Sequence, residues 1–433
     1  MRHIEYKDID ENVYQETLDN GLEVFIIQKA GYNKKFVTYT SKYGSIDNHF
    51  KVDGKEHQVP DGIAHFLEHK MFEKEDGDVF DLFAKGGANA NAFTSYDRTS
   101  YLFSTTEDFY KNLTLLMEMV EKPYFTEESV EREIGIINEE IKMYQDNPGY
   151  RLYFDTIGQM YDALPVKIDI AGTLPSISEI TKDHLYLCHD TFYHPSNMVL
   201  IMVGDFDVDE TMNFVKDHQN ARGEIKPLDV ERILPDETRD VVKQKHNLYL
   251  DVAETKVMLG FKNEKIDSDK ERLTRDLAMM FGLDMVFGEQ SDYYYQMLED
   301  GIIDDSFNFA HNEEKDFAHI LMTTQTDDPE KFTQTILDII EDIKNKDIFE
   351  EDKLINQKRE VLGDYLSSLN SPEYIANQYT KYHLDGYDLY QLPEIIEQIT
   401  VEDIKKYIFD ALNPEYLVEC VLQPEDKKVS ADG

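Results

Sequence analysis

The chain has 433 residues, with 44 Lys plus Arg set against 88 Asp plus Glu and a formal net charge of −44 at pH 7. An apolar share of 41% is ordinary for a folded protein, and a chain of this length can bury more than one core. So large a negative charge argues against nucleic acid or an anionic membrane as a partner and would attract a cationic peptide, although solubility or a saline habitat accounts for the same acidity.

The opening stretch, MRHIEYKDIDENVYQ, holds no apolar core and no cleavage site, so no secretory signal is expected. No run of about 18 apolar residues occurs further on, so no membrane span is expected either. GLEVFIIQK and FVTYTSKYGS then read as strands, one continuously apolar and the other alternating. They lead into PDGIAHFLEHKMFEK, which reads as a helix. On that helix His65 and His69 are four residues apart and stack on one face, where two imidazoles can hold one ion. Glu68 borders the same face, close enough to take a proton from a water without serving as a ligand. This is the H-x-x-E-H pattern of a zinc peptidase helix.

GGANANAFTS, a Gly-rich turn, runs into AFTSYDRTSYLFS, a further strand region. The helix from Glu127 to Tyr144 carries Glu131, Glu133, Glu139 and Glu140. A catalytic zinc needs a third protein ligand and one open position. Glu133 and Glu140 lie two turns apart on a common face, with Ile136 and Ile137 as apolar neighbours expected to bury it. Without the histidine pair, an exposed charged helix would be the simpler reading. His184, His189 and His194 cluster near Cys188 but mix helix and turn spacing, so structural roles are expected for them. Cys188 and Cys420 form no CxxC and are expected as buried, reduced thiols, which fits a cytoplasmic protein. Neither lies near the His65–His69 motif in sequence, which argues against a structural zinc site there.

The two halves repeat. FTEESVEREIGIINEEIKMYQDNPGYRLYF from Phe125 resembles FEEDKLINQKREVLGDYLSSLNSPEYIANQY from Phe349, with Pro148 and Pro372 equally far from the opening Phe. ITKDHLYLCHDTFYHPSNMVLIMVG from Ile180 likewise resembles ITVEDIKKYIFDALNPEYLVECVLQ from Ile399, with Thr181 and Thr400 as helix caps and Pro195 and Pro414 in register. The same pieces in the same order indicate duplication. The polar stretch 217–238, with Pro227 and Pro235, reads as a linker between an N-terminal domain (1–216) and a C-terminal one (239–433). Strands and helices mix without strict β-α-β alternation, which gives an α+β layered domain made twice.

HFLEH at 65–69 followed by EIGIINEE at 133–140 resembles the pitrilysin and insulysin family of zinc peptidases, especially the mitochondrial processing peptidase branch and its bacterial relatives. In that family H-x-x-E-H precedes E-x6-E on a later helix. The resemblance implies zinc on His65, His69 and Glu140, Glu68 as general base, and Glu133 as the supporting acid behind the ligands. It also implies that Asn91, Ala92 and Thr94 lie on a strand whose edge pairs with an extended peptide substrate, and that two homologous layered domains form half of a clamshell. The expected activity is that of a zinc metalloendopeptidase cutting peptides or unfolded segments.

The chain departs from the family in its second half. Active members carry an Arg and a Tyr that stabilise the oxyanion, and aligned on Gly301 their places fall on Met297 and Asp304. Neither donates as needed, and an ionised Asp would oppose an oxyanion. Either Tyr293, Tyr294 or Tyr295 substitutes, or a homologous partner chain supplies both groups. A dimer is therefore expected, heteromeric or homomeric, with no metal on the second half. The alternative function is a non-catalytic peptide-binding or scaffold subunit of the same fold.

Overall fold

The computed structural model describes residues 1–75, 77–226 and 228–427, so Pro227 of the linker lies outside the described residues. The chain is α+β and forms two compact units. One comprises 1–142, 168–234 and 365–390; the other comprises 143–167, 235–364 and 391 onward. The passage from first unit to second in the linker region falls between Leu234 and Pro235. In addition, one segment from each half of the sequence is built into the unit of the other half.

The first unit is organised on a seven-stranded sheet. Its order is Arg2–Tyr6, Glu11–Thr17, Glu23–Gln28, Met198–Gly204, Lys35–Ser41, Thr99–Thr105 and Ala88–Thr94. Glu23–Gln28 and Met198–Gly204 are parallel, and the other neighbours are antiparallel. Every residue of Met198–Gly204 is buried, and so are Val24 to Ile27. A continuous apolar run is what a strand covered on both faces requires. One cover is the helix Pro372–Leu384, which packs on Lys35–Ser41 and Met198–Gly204. There Thr38 Oγ1 meets Thr380 Oγ1 at 3.0 Å.

The second unit repeats the plan in five strands, ordered Lys245–Leu250, Leu417–Pro424, Lys256–Asn263, Ala318–Gln325 and Asn308–Glu313. Again one pair is parallel, Lys245–Leu250 with Leu417–Pro424. Its covering helix, Pro148–Met160, lies against Lys256–Asn263 and Leu417–Pro424. The approach is close: a Cβ on Gly260 would stand 2.5 Å from Met160 Sδ and 3.1 Å from Thr156 Cγ2.

The duplicated segments occupy matching places. Pro148 and Pro372 each open a helix, after the caps Asn147 and Ser371, because a first-turn position needs no N–H donor. Thr181 and Thr400 cap the helices Lys182–Phe192 and Val401–Ala411. Pro195 and Pro414 begin the 3-10 turns that feed Met198–Gly204 and Leu417–Pro424, the strands that are parallel to one neighbour and antiparallel to the other. Among the described residues, no helix is long and apolar enough to cross a membrane.

Candidate metal centre

The motif helix spans Ile63–Met71. Gly62 opens it with φ of 86°, and a Cβ there would lie 2.5 Å from the Ala171 carbonyl oxygen, so both the backbone angle and the space call for glycine. Ile63, Phe66, Leu67 and Met71 are buried in the core of the first unit. That burial fixes the rotation of the helix and turns His65 and His69 toward the helix Glu127–Gln145. Their ring centroids are 4.5 Å apart.

The acidic helix begins with a reciprocal pair of hydrogen bonds, Thr126 N–H to Ser129 Oγ and Ser129 N–H to Thr126 Oγ1, both 3.1 Å. Val130, Glu133, Ile137 and Ile141 form its buried face. Ile136, expected on that face, is instead 50% exposed. At 100° per residue position 136 lies about 60° beyond Glu133, the residue at that edge of the stripe. Glu133 therefore reaches inward beside Ile137 alone.

His65 Nε2 lies 3.8 Å from Glu140 Oε1, and His69 Nε2 lies 3.6 Å from Glu140 Oε2. One ligand atom from each of the three residues falls within 4.8 Å of the other two. These separations exceed a hydrogen bond. With zinc–ligand bonds of about 2.0–2.2 Å, two ligands at the tetrahedral angle stand roughly 3.4 Å apart, close to what is seen. His69 Nδ1 lies 3.1 Å from Glu133 Oε1. A proton on Nδ1 given to that carboxylate leaves the Nε2 lone pair facing Glu140. The donor set of two imidazoles and one carboxylate therefore fits zinc with a position left over.

Electrostatics act differently on the two histidines. Burial, with the neighbouring His69, pushes His65 down to about 4, so it stays a neutral ring able to act as a ligand. His65 Nδ1 is buried without a hydrogen-bond partner. Burial also opposes charge on His69, but the Glu133 hydrogen bond and the surrounding carboxylates outweigh it and raise its pKa. Glu68 is nearly buried and its pKa is raised by that burial, which makes it a stronger base than an exposed carboxylate. Thr94 Oγ1 donates to Glu68 Oε2 at 2.6 Å, which works in the opposite direction by favouring the ionised form.

Thr94 ends the strand Ala88–Thr94, at the outer edge of the seven-stranded sheet and paired with Thr99–Thr105. Along it exposure alternates, with Asn89, Asn91 and Phe93 outward. Asn91 Oδ1 accepts from the Ala92 N–H at 2.9 Å. Asn91 and Ala92 thus lie on an edge strand, while the Thr94 hydroxyl is turned to Glu68. Spacing within the motif carried no signal for that contact, because the two residues meet only through the packing of helix on sheet.

In the second unit Met297 is buried in the core, and Asp304 accepts from the Ser306 N–H at 2.9 Å in the turn after Gly301. Tyr293 donates its hydroxyl to Asp342 at 2.7 Å. Tyr295 is exposed. His189 Nε2 lies 2.9 Å from the Val120 carbonyl, and His194 accepts from the Ser196 N–H as a helix cap, both structural roles.

Comparison with known proteins gives a consistent picture. Residues 54–173 match the family model for insulinase (peptidase family M16), and residues 179–361 match that for the M16 inactive domain. An uncharacterized zinc protease of Bacillus subtilis, YmfH, is 41% identical over 98% of this chain and 100% of its own length. A crystal structure of an M16-like peptidase from Alicyclobacillus acidocaldarius shares 32% identity and superposes with a TM-score of 0.91, over 95% of this chain and 98% of that one. The periplasmic protease PqqL of Escherichia coli, 17% identical with a TM-score of 0.71, shares the fold across 97% of this chain and 48% of its own.

Proposed function

The chain belongs to the M16 peptidase family, and from that premise we propose that it is a zinc-dependent metalloendopeptidase acting on peptides or unfolded segments. The observation that carries the reading is the convergence of His65, His69 and Glu140 within 4.8 Å, with Glu68 beside them. His65, His69 and Glu140 would hold a zinc ion, which when bound would supply Lewis-acid polarisation of a peptide carbonyl and a water acidified toward neutral pH. Glu133 orients His69, and the half-buried, neutral His65 needs no deprotonation to act as a ligand. Glu68 moves the proton. Its Oε2 is occupied by the Thr94 hydroxyl, so Oε1 is the oxygen able to accept a proton from water and return it to the leaving amine. The edge strand Ala88–Thr94 offers unpaired backbone groups to an extended peptide through Asn91 and Ala92.

We further propose that this chain is the zinc-bearing subunit of a dimer. Supporting this, Met297 is buried and Asp304 is engaged in its own turn, so neither offers a donor to an oxyanion. A second copy would bring the same two side chains, so the partner expected to supply Arg and Tyr is a related chain. That PqqL is matched over about half its length is compatible with pairing of such chains. A cytoplasmic setting is supported by two free, buried thiols, which burial pushes up to about 12 at Cys188 and about 11 at Cys420, both inert as nucleophiles.

The test measures zinc content and cleavage of a quenched fluorescent peptide, with and without the related chain. Glu68→Gln should keep zinc and lose cleavage, and His65→Ala should lose both. Zinc uptake without cleavage under either condition would favour the peptide-binding subunit instead. Full turnover by this chain alone would refute the split site.

A further inference from the structure

Lys70 directly follows the second histidine of the motif, and its relative exposure is 0%. Its ammonium pairs with the Glu73 carboxylate and donates to the Ser129 carbonyl oxygen at 3.3 Å. The other oxygen of Glu73 accepts from the Arg132 guanidinium. Ser129 and Arg132 belong to the acidic helix, one turn and one residue before Glu133 respectively. The carbonyl touched by Lys70 is thus the one that an α-helix uses to receive the Glu133 N–H. Successive residues of the motif helix therefore reach successive levels of the acidic helix: His69 to the Glu133 side chain, and Lys70 to the backbone and ion pair beside it.

Burying an ammonium is costly, and an apolar side chain of similar volume would serve stability about as well. What the ion pair adds is direction: it specifies how far apart, and at what rotation, the two helices lie. We propose that Lys70 and Glu73 are positioning residues for the metal, holding the His65–His69 helix at the separation from Glu133 and Glu140 that zinc needs. The inference rests on the metal reading above and concerns affinity for the ion, not the chemistry that follows.

The test uses zinc affinity of the whole chain, measured by competition with a chromophoric chelator, alongside the unfolding midpoint of the metal-free protein. Lys70→Met fills the same space without the charge, and the freed Glu73 keeps Arg132 and partial solvent exposure. Glu73→Gln cuts the tie from the other side with little change of shape, and it carries the test should Lys70→Met fold poorly. Each is expected to weaken zinc binding about tenfold or more, as loss of groups that orient ligands commonly does; Lys70→Met should leave metal-free stability nearly unchanged, whereas Glu73→Gln, which leaves the buried ammonium without its counter-charge, should lower it. The double variant should lose no more than the worse single one, because both remove one interaction. Wild-type zinc affinity in every single variant that folds would overturn the proposal, as would an affinity loss in Lys70→Met matched by an equal loss of its metal-free stability. A wild-type chain that takes up no zinc would instead overturn the metal reading, and this proposal with it.

Discussion

Replacing Thr94 with valine keeps the shape of the side chain and removes the hydroxyl that donates to Glu68 Oε2 at 2.6 Å. That hydrogen bond also fixes the carboxylate so that Oε1 is aimed at the water, and loss of the orientation should lower kcat by about tenfold, with the gain in basicity offsetting part of the loss. KM should change little and zinc content not at all, because Thr94 touches neither ligand nor ion. The hydrogen bond favours ionised Glu68 against the opposing effect of burial. Its loss therefore raises the pKa further, and the acid limb of the kcat/KM profile should move to higher pH. Steady-state kinetics across pH, on protein of verified zinc content, measure all three quantities. A rise in KM with kcat and the acid limb unchanged would refute the reasoning and return Thr94 to the peptide-binding edge.

His319 is fully buried, its Nδ1 lies 3.0 Å from the Tyr161 hydroxyl oxygen, and it is pushed down to about 3 by burial and by His311. Its ordinary pKa in the unfolded chain is about 6.5, so the unfolded state gains a proton first as pH falls. Stability should be unaffected by this group above that value and decline below it by up to about 1.4 kcal/mol per pH unit, until the folded value is reached. Urea unfolding from pH 7 to 4 should show the decline, and His319→Phe should flatten it. Gly260→Ala sets a methyl against Met160 Sδ and Thr156, and should destabilise the second unit by about 1–3 kcal/mol in denaturant titration, with the flexible Met160 keeping it near the lower end. The net charge of −44 should make kcat/KM for cationic peptides fall steeply with added salt, and that for neutral peptides hardly at all.

Helical periodicity is local, and the residues that depend on it were legible in the chain. His65, Glu68 and His69 share a face because they are three or four positions apart, and the same arithmetic sets Glu133 beside Glu140. Caps and prolines are local too, so Thr181 with Thr400, and Pro148 with Pro372, marked the duplicated elements. Periodicity did not settle how wide the buried stripe of the acidic helix is, and Ile136 was expected inside it and lies outside. That width depends on what covers the helix.

Contacts between elements far apart in the chain belong to the tertiary structure. The hydrogen bond of Thr94 to Glu68 exists because the motif helix packs across the edge hairpin, 26 residues away in sequence. The burial of Lys70 has the same origin, since a lysine near a helix end ordinarily reads as solvated. Packing against a sheet face places Pro148–Met160 in the second unit and Pro372–Leu384 in the first, and no local pattern signals which sheet each helix covers. Side-chain spacing along one helix follows from covalent geometry alone, whereas the choice of which surfaces meet comes from burying apolar faces that no short stretch of sequence can bury by itself.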